Sequence, residues 1–238
     1  QFPGEKQAYW QGVALMLVPF FLLAVYFGYA AFSGSAASYS SGLHGKWWIA
    51  LEVIGYPLLC IPVLNHLAVR PRRQALKAAG SQARVMTKTH PELKAMLSEQ
   101  ARLLGIPEPE MYVVDDDAAY TWSMPGKPPA ILMSKAVLNA LNAQETAAIL
   151  AREMGHIKSH HVTAAQAVAY YRRANPLWKI LLFPAGLLVW GLSGWMDLIE
   201  YTADRVAVLV VGRPAVVNAA LAKLAVAADP QAEVSPEE

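Results

Sequence analysis

Two long apolar runs dominate the first third of the chain. Residues 12–32 contain no charged side chain, and residues 47–69 form a second run that opens on two tryptophans. A helix needs about 20 apolar residues to cross a bilayer, and both runs reach that length. A cleaved signal peptide is disfavoured, because the first run is long and a second one follows it. The pattern therefore predicts two N-terminal transmembrane helices.

The apolar segments become shorter after residue 90 and indicate a small mixed domain. A proline at the first turn and a glycine past the end bound a helix over residues 91–104. Clusters of turn residues separate three short apolar segments. These segments predict strands over residues 111–114, 120–124 and 130–133.

Longer helices are predicted in the second half of the chain. Asn142 and Glu145 form a capping box that starts a helix, and its pattern runs as far as Arg172. A third apolar run covers residues 177–195, is interrupted by Pro-Ala-Gly at 184–186, and is marginal for a full crossing. A final helix over 214–228 precedes an acidic tail, predicted to be disordered.

Composition agrees with a membrane protein that carries a modest soluble part. Hydrophobic residues make up 55% of the 238 positions, charged residues only 16%, and the mean hydropathy is +0.28. The net charge of +2 gives no sign of nucleic-acid binding. Cys60 is the single cysteine, which excludes an intrachain disulfide and a cysteine zinc site.

Positive charge is concentrated just after the second apolar run. The loop before that run has almost no basic residue, whereas six follow it: Arg70, Arg72, Arg73, Lys77, Arg84 and Lys88. Basic residues favour the cytoplasmic side of a membrane. We therefore expect the N-terminus and everything after Val69 to be cytoplasmic.

The candidate chemistry lies in the helix that follows Asn142. Residues 152–156 read Arg-Glu-Met-Gly-His, one residue away from the His-Glu-x-x-His signature of zinc proteases. Residues four apart share a helix face, so histidines at both ends of that signature grip one metal ion. The glutamate beside them polarises the metal-bound water. Arg152 has only donor groups and cannot ligate zinc.

Three segments together carry a family resemblance. They are residues 105–113, residues 145–161, and the Glu-x-x-x-Asp stretch within residues 200–207. With them the chain resembles metallopeptidase family forty-eight, the HtpX-like and CAAX-prenyl-protease-like membrane zinc proteases. The resemblance implies a mostly α membrane protein with a zincin-like α+β protease domain and a small sheet. We therefore expect four segments: a membrane anchor over residues 1–69, a zincin-like domain over 70–172, a membrane hairpin over 173–198 and the region of the third ligand over 199–238.

The resemblance also assigns roles to single residues. His156 corresponds to a zinc-binding histidine, Glu200 to the third ligand and Glu153 to the general base. Asp204 corresponds to a residue that orients the site, and His161 to a further histidine of the helix. Because Glu200 has to approach His156, residues 177–195 are expected to enter and leave the membrane on one side. They would turn at residues 184–186 as a re-entrant or interfacial hairpin.

The chain departs from the family at two places. Arg152 stands where the family has its first zinc histidine, and Tyr-Thr-Trp at 120–122 replaces an Asn-Ala-Phe-like segment of the active-site edge strand. We hypothesise that the Arg152 guanidinium replaces the metal electrostatically and pairs with Glu200 or Glu153. The alternative is that Arg152 points away from the site, to solvent or lipid headgroups.

Three functional hypotheses follow from Arg152. The first is a degenerate protease that binds no zinc and acts as a binding, assembly or accessory subunit of a membrane complex, in a bacterial-type inner membrane. The second is an active zinc endopeptidase of membrane proteins, in which His160, four residues from His156 and therefore expected on the same helix face, joins His156 and Glu200 as a ligand. The third is an engineered arginine in an active enzyme. The lipid bilayer and other membrane-protein subunits are the expected partners, and zinc is expected only if the site is active.

Overall fold

The computed structural model describes residues 3–32, 90–124 and 126–228, with a few short stretches and single positions between 55 and 77. The second predicted span, the basic run that follows it (apart from Lys77) and the acidic tail lie outside the described residues or are covered at isolated positions only. The helices are α1 (Glu5–Phe32), α2 (Pro91–Leu104), α3 (Lys135–Ala140), α4 (Ala143–Lys158), α5 (His161–Arg173), α6 (Pro176–Leu181), α7 (Phe183–Gly191), α8 (Ser193–Val211) and α9 (Pro214–Ala228). The strands are β1 (Glu110–Val114), β2 (Thr121–Met124) and β3 (Ala130–Ser134).

The chain divides into two compact units. The first contains Val69–Ala164 and Ile199–Glu238, together with Gln1–Phe2. The second contains Pro3–Ala68 and Ala165–Leu198. The sheet and the residues predicted to carry the chemistry all belong to the first unit.

A three-stranded sheet in the order β1-β3-β2 occupies the first unit. β3 is buried along its whole length and pairs in parallel with β1, which places Met111 beside Ile131. It pairs in antiparallel fashion with β2, which places Trp122 beside Leu132. The three predicted strands are confirmed to within one residue at each end. Within the described chain, β2 forms an edge of the sheet.

Helix α4 runs through the core of the first unit. Ile149, Leu150 and Met154 are almost fully buried, in one cluster with residues of the sheet, α2 and α9. The predicted capping box is confirmed: the Asn142 side chain accepts from the Glu145 amide, and the Glu145 carboxylate accepts from the Asn142 amide. Lys223 of α9 also donates to Glu145 at 2.9 Å, and this bond and the Asn142 amide lower the pKa of that carboxyl. The first turn of α4 is therefore held from two sides.

The predicted continuation of this helix to Arg172 is wrong. α4 ends at Lys158, and a new helix, α5, begins at His161. His160 between them has a φ of 59°, the left-handed conformation that ends many helices. The residue there is neither glycine nor proline, so no ordinary stop signal marks this position. The change of direction also removes His160 from the face that His156 occupies on α4.

Helix α1 is the element that fits a membrane span. Among the described residues, Glu5–Tyr26 is the one stretch long and apolar enough to cross a bilayer. Large apolar side chains along it are exposed, among them Trp10, Phe21 and Tyr26. Within the second unit α1 packs closely on α7. A Cβ added at Gly191 would lie only 2.8 Å from the Gly12 Cα. One of the two predicted spans is thus supported by the described structure.

The third apolar run is broken, but not where the sequence predicted. The chain leaves helical geometry at Leu182 and again near Leu192, rather than at residues 184–186. Pro184 lies in the first turn of α7, where a residue without an N–H group is tolerated. The Pro-Ala-Gly segment therefore starts a helix instead of forming the turn. A re-entrant path for this region stays a prediction.

Candidate functional site

Helices α4 and α8 bring five of the predicted residues to one place. α4 carries Arg152, Glu153 and His156, and α8 carries Glu200 and Asp204. Glu153 and His156 are buried, whereas the side chains of Glu200 and Asp204 keep exposed fractions of 44% and 33%. The cluster thus has a buried side on α4 and a more open side on α8.

Arg152 lies at the centre of this cluster. Its Nε donates to Asp204 Oδ1 at 2.8 Å, and its Nη2 donates to Glu200 Oε2. Its Nη1 lies 3.7 Å from Glu153 Oε1. The predicted pairing with Glu200 is confirmed, while the direct bond to Asp204 was not predicted.

Burial and charge act in opposite directions on the Arg152 guanidinium. Its side chain is only 17% exposed, and burial alone lowers its pKa. The negative charges of Glu200, Glu153 and Asp204 outweigh that effect and raise the pKa above its usual value. Arg152 is therefore a fixed positive charge among three carboxylates.

His156 faces the same cluster from one turn further along α4. Its Nε2 lies 3.7 Å from Glu200 Oε2, so the two residues predicted as metal ligands are brought together. The His161 ring is almost fully buried and lies edge-on to the His156 ring, with 5.8 Å between centroids. His160 is exposed and lies outside α4. The idea that His160 and His156 share a helix face is therefore wrong.

Glu153 is bound by two hydroxyl groups of strand β2. Thr121 Oγ1 donates to Glu153 Oε1 at 3.0 Å, and Ser123 Oγ donates to Glu153 Oε2. Sequence reasoning missed Ser123. Its signal was the spacing: residues two apart in a strand point to the same face, and Thr121 and Ser123 are both hydroxyl residues.

Comparison with known proteins identifies the family to which the chain belongs. The sequence profile described as Peptidase family M48 matches residues 87–236, which include every residue of the cluster. The chain belongs to peptidase family M48. The resemblance drawn from the three sequence segments is thereby confirmed.

Relatives of this M48 member come from a plant and from bacteria. It is 32% identical over 179 residues to the plastoglobule-localized metallopeptidase 48, chloroplastic, of Arabidopsis thaliana, covering 71% of this chain and 52% of that protein. It is 26% identical to a protease HtpX homolog of Acaryochloris marina, covering 56% and 55% of the two chains. For a protease HtpX homolog of Streptococcus gordonii the identity is 26%, covering 63% and 50%. The chain spans about half the length of these relatives, and no solved structure matches it.

The residues of this M48 member do not fit a catalytic zinc ion. Such sites use three protein ligands, which the sequence resemblance predicts at positions 152, 156 and 200, and the Arg152 guanidinium cannot be one of them. Its donors already engage the carboxylate of the third position, Glu200. Over the described ranges, no group of three or more His, Cys, Asp or Glu side chains is arranged to hold a metal. The cleft as folded holds the Arg152 charge beside His156 and Glu200, the two residues predicted as metal ligands.

The contact between α4 and α8 depends on Gly155. A Cβ at this position would lie 3.0 Å from the Val206 Cβ and 3.2 Å from the Ala203 Cα. The second of these atoms is backbone, so it can move away only if the helices separate. Gly155 therefore sets the distance that lets Arg152 reach Glu200.

We expect Gly155→Ala to lower the free energy of unfolding by about 1–3 kcal/mol, because overpacking forces backbone shifts. Gly194→Ala is the matched control in α8, since a Cβ there meets nothing within 4 Å. That control should be neutral, or more stable by up to about 1 kcal/mol, because alanine has the higher helix propensity. Chemical unfolding of both variants is the measurement. Equal stability of the two would show that the close approach is unimportant.

Proposed function

We propose that this M48 member has lost zinc-dependent proteolysis and acts as a binding, assembly or accessory subunit of a membrane complex. The observation that carries the proposal is the contact of Arg152 with Glu200 and Asp204. A guanidinium donates hydrogen bonds and accepts none, so Arg152 supplies charge to the cleft but no metal ligand.

The electrostatics of the cleft support this reading. Three carboxylates that share a partly buried site would repel one another and lose hydration without a cation. The planar fork of Arg152 satisfies two of them and lies near the third. A cleft stabilised in this way keeps the family fold without depending on a metal. Retention of the fold is what a binding or assembly role requires.

The exposed surface of α1 supports a place in a membrane. Its apolar side chains need lipid or another apolar partner, and its length suffices for a crossing. This surface and the basic residues after Val69 support the proposal that the protein is integral to a bacterial-type inner membrane, with its main domain on the cytoplasmic side. The bilayer and other membrane-protein subunits are the proposed partners.

Cysteine labelling tests the proposed orientation. In a Cys60→Ser background, Glu99→Cys on α2 offers a reporter, since the Glu99 side chain is 64% exposed. A membrane-impermeant maleimide should label it only after the membrane is permeabilised. Ser41→Cys, in the loop between the predicted spans, should be labelled in intact cells. Labelling of Glu99→Cys in intact cells would contradict the cytoplasmic assignment.

A digestion assay tests the loss of activity. The purified full chain, incubated with casein and with a membrane-protein substrate in the presence of added zinc, should give no cleavage above buffer. A zinc-loaded M48 relative with an intact His-Glu-x-x-His helix is the positive control. Cleavage by this chain that a chelator abolishes would favour the active-peptidase alternative, for which the proximity of His156 and Glu200 is the structural argument.

A further inference from the structure

Glu153 makes contacts with strand β2 that do not involve Arg152. We infer that Thr121 and Ser123 anchor edge strand β2 to α4 through Glu153, and that this contact withholds the carboxylate from proton transfer. The inference rests on the proposed loss of proteolysis and adds a second cause for it, independent of Arg152.

The contact engages both oxygens of the carboxylate. Oε1 accepts from Thr121 at 3.0 Å and Oε2 accepts from Ser123, whose hydroxyl also lies 3.3 Å from the Glu153 carbonyl oxygen. The Glu153 side chain is only 5% exposed. Hydroxyl bonds to an ionised carboxylate are stronger than those between neutral groups. Glu153 is therefore held in one orientation, directed at the strand.

The alternation of side chains along β2 makes this contact possible. Thr121 and Ser123 point to one face of the strand. Trp122 and Met124 point to the other, in a cluster with Tyr112 of β1. Within the described sheet β2 has hydrogen-bonded partners on one side only, in β3. The hydroxyl contacts with Glu153 thus supply a second attachment for a four-residue edge strand.

The same contact decides what Glu153 can do chemically. A general base has to present an oxygen within hydrogen-bond reach of the water whose proton it takes. Here both oxygens already accept from β2. Because only 5% of the side chain is exposed, the acceptor sites that remain have little access to water from the open side of the cleft. Thr121 and Ser123 are therefore positioning residues that act through Glu153.

Hydrogen exchange of the full-length protein tests the anchor. In the double variant Thr121→Val, Ser123→Ala, backbone amides of residues 121–124 should exchange at least about tenfold faster, while amides of α2 stay unchanged. Thr121→Ser keeps the hydroxyl and should exchange as the unmodified chain does, and the single variant Thr121→Val serves if the double variant does not fold. Unchanged exchange of β2 without the hydroxyls would overturn the anchoring role.

An Arg152→His background tests the effect on proton transfer. Arg152→His alone should take up zinc, measured by elemental analysis, and should cleave casein only slowly. Adding Thr121→Val and Ser123→Ala should leave the zinc content the same and raise casein cleavage at least about tenfold. Equal cleavage with and without the hydroxyls, at any level, would overturn the inference. Cleavage by the unmodified chain would instead overturn the proposed function, so the two failures are distinguishable.

Discussion

Arg152→Ala should lower the free energy of unfolding by about 2–4 kcal/mol. Removing one partner of a buried ion pair costs about 3–5 kcal/mol, and we reduce that figure because Glu200 is 44% exposed and partly screened by water. The variant leaves Glu200, Asp204 and Glu153 close together without their cation. Chemical denaturation of the full chain in detergent measures the loss.

Arg213→Ala is the matched control for this substitution. The Arg213 side chain is exposed and, within the part of the chain that the structure describes, donates one hydrogen bond, at 3.3 Å to Gln144. Its removal should change the free energy of unfolding by about 0.5 kcal/mol or less. An Arg152→Ala variant as stable as the Arg213→Ala control would rule out electrostatic replacement of the metal by Arg152.

Arg152→His should make the stability of the folded protein depend on zinc. Without metal the variant should be less stable than the unmodified chain, because a neutral imidazole does not balance the carboxylates. With zinc, imidazoles at 152 and 156 and the Glu200 carboxylate form a three-ligand set. A ligand that binds only the folded state at 100 times its dissociation constant adds about 2.7 kcal/mol. Thermal melts with and without zinc should therefore differ for this variant.

Arg152→Gln is the control for the zinc response. It removes the same charge but adds no imidazole, so its melting temperature should not depend on zinc. The unmodified chain should not respond either. A zinc response equal in Arg152→His and Arg152→Gln would show that the metal binds elsewhere, and the proposed ligand set would be wrong.

Local signals in the sequence were sufficient for much of the fold. The proline and the glycine that bound α2, the capping box of α4 and the apolar segments of the sheet each act over a few residues, and each is observed. The pairing of Arg152 with Glu200 was predictable for a different reason. The family resemblance predicts that the Glu153 and Glu200 carboxylates lie close together, where their like charges need a nearby cation. Arg152 is the cation that the sequence places beside them.

Features that depend on tertiary contacts were not predictable from the sequence. The break at His160 places a residue other than glycine in the left-handed conformation, which few residues with a side chain adopt. The bond from Arg152 to Asp204 depends on where Gly155 lets α8 approach α4. The hydroxyl contacts of Ser123 depend on the position of β2 over α4. None of these follows from residues that are neighbours in sequence.

Elemental analysis of the purified, unmodified protein tests the central claim most directly. The chain, purified without chelator and dialysed against zinc and then against metal-free buffer, should retain far less than one zinc ion per molecule. Arg152→His, treated in parallel, should retain close to one. A stoichiometric zinc ion in the unmodified protein would contradict the claim that the guanidinium of Arg152 has replaced the metal.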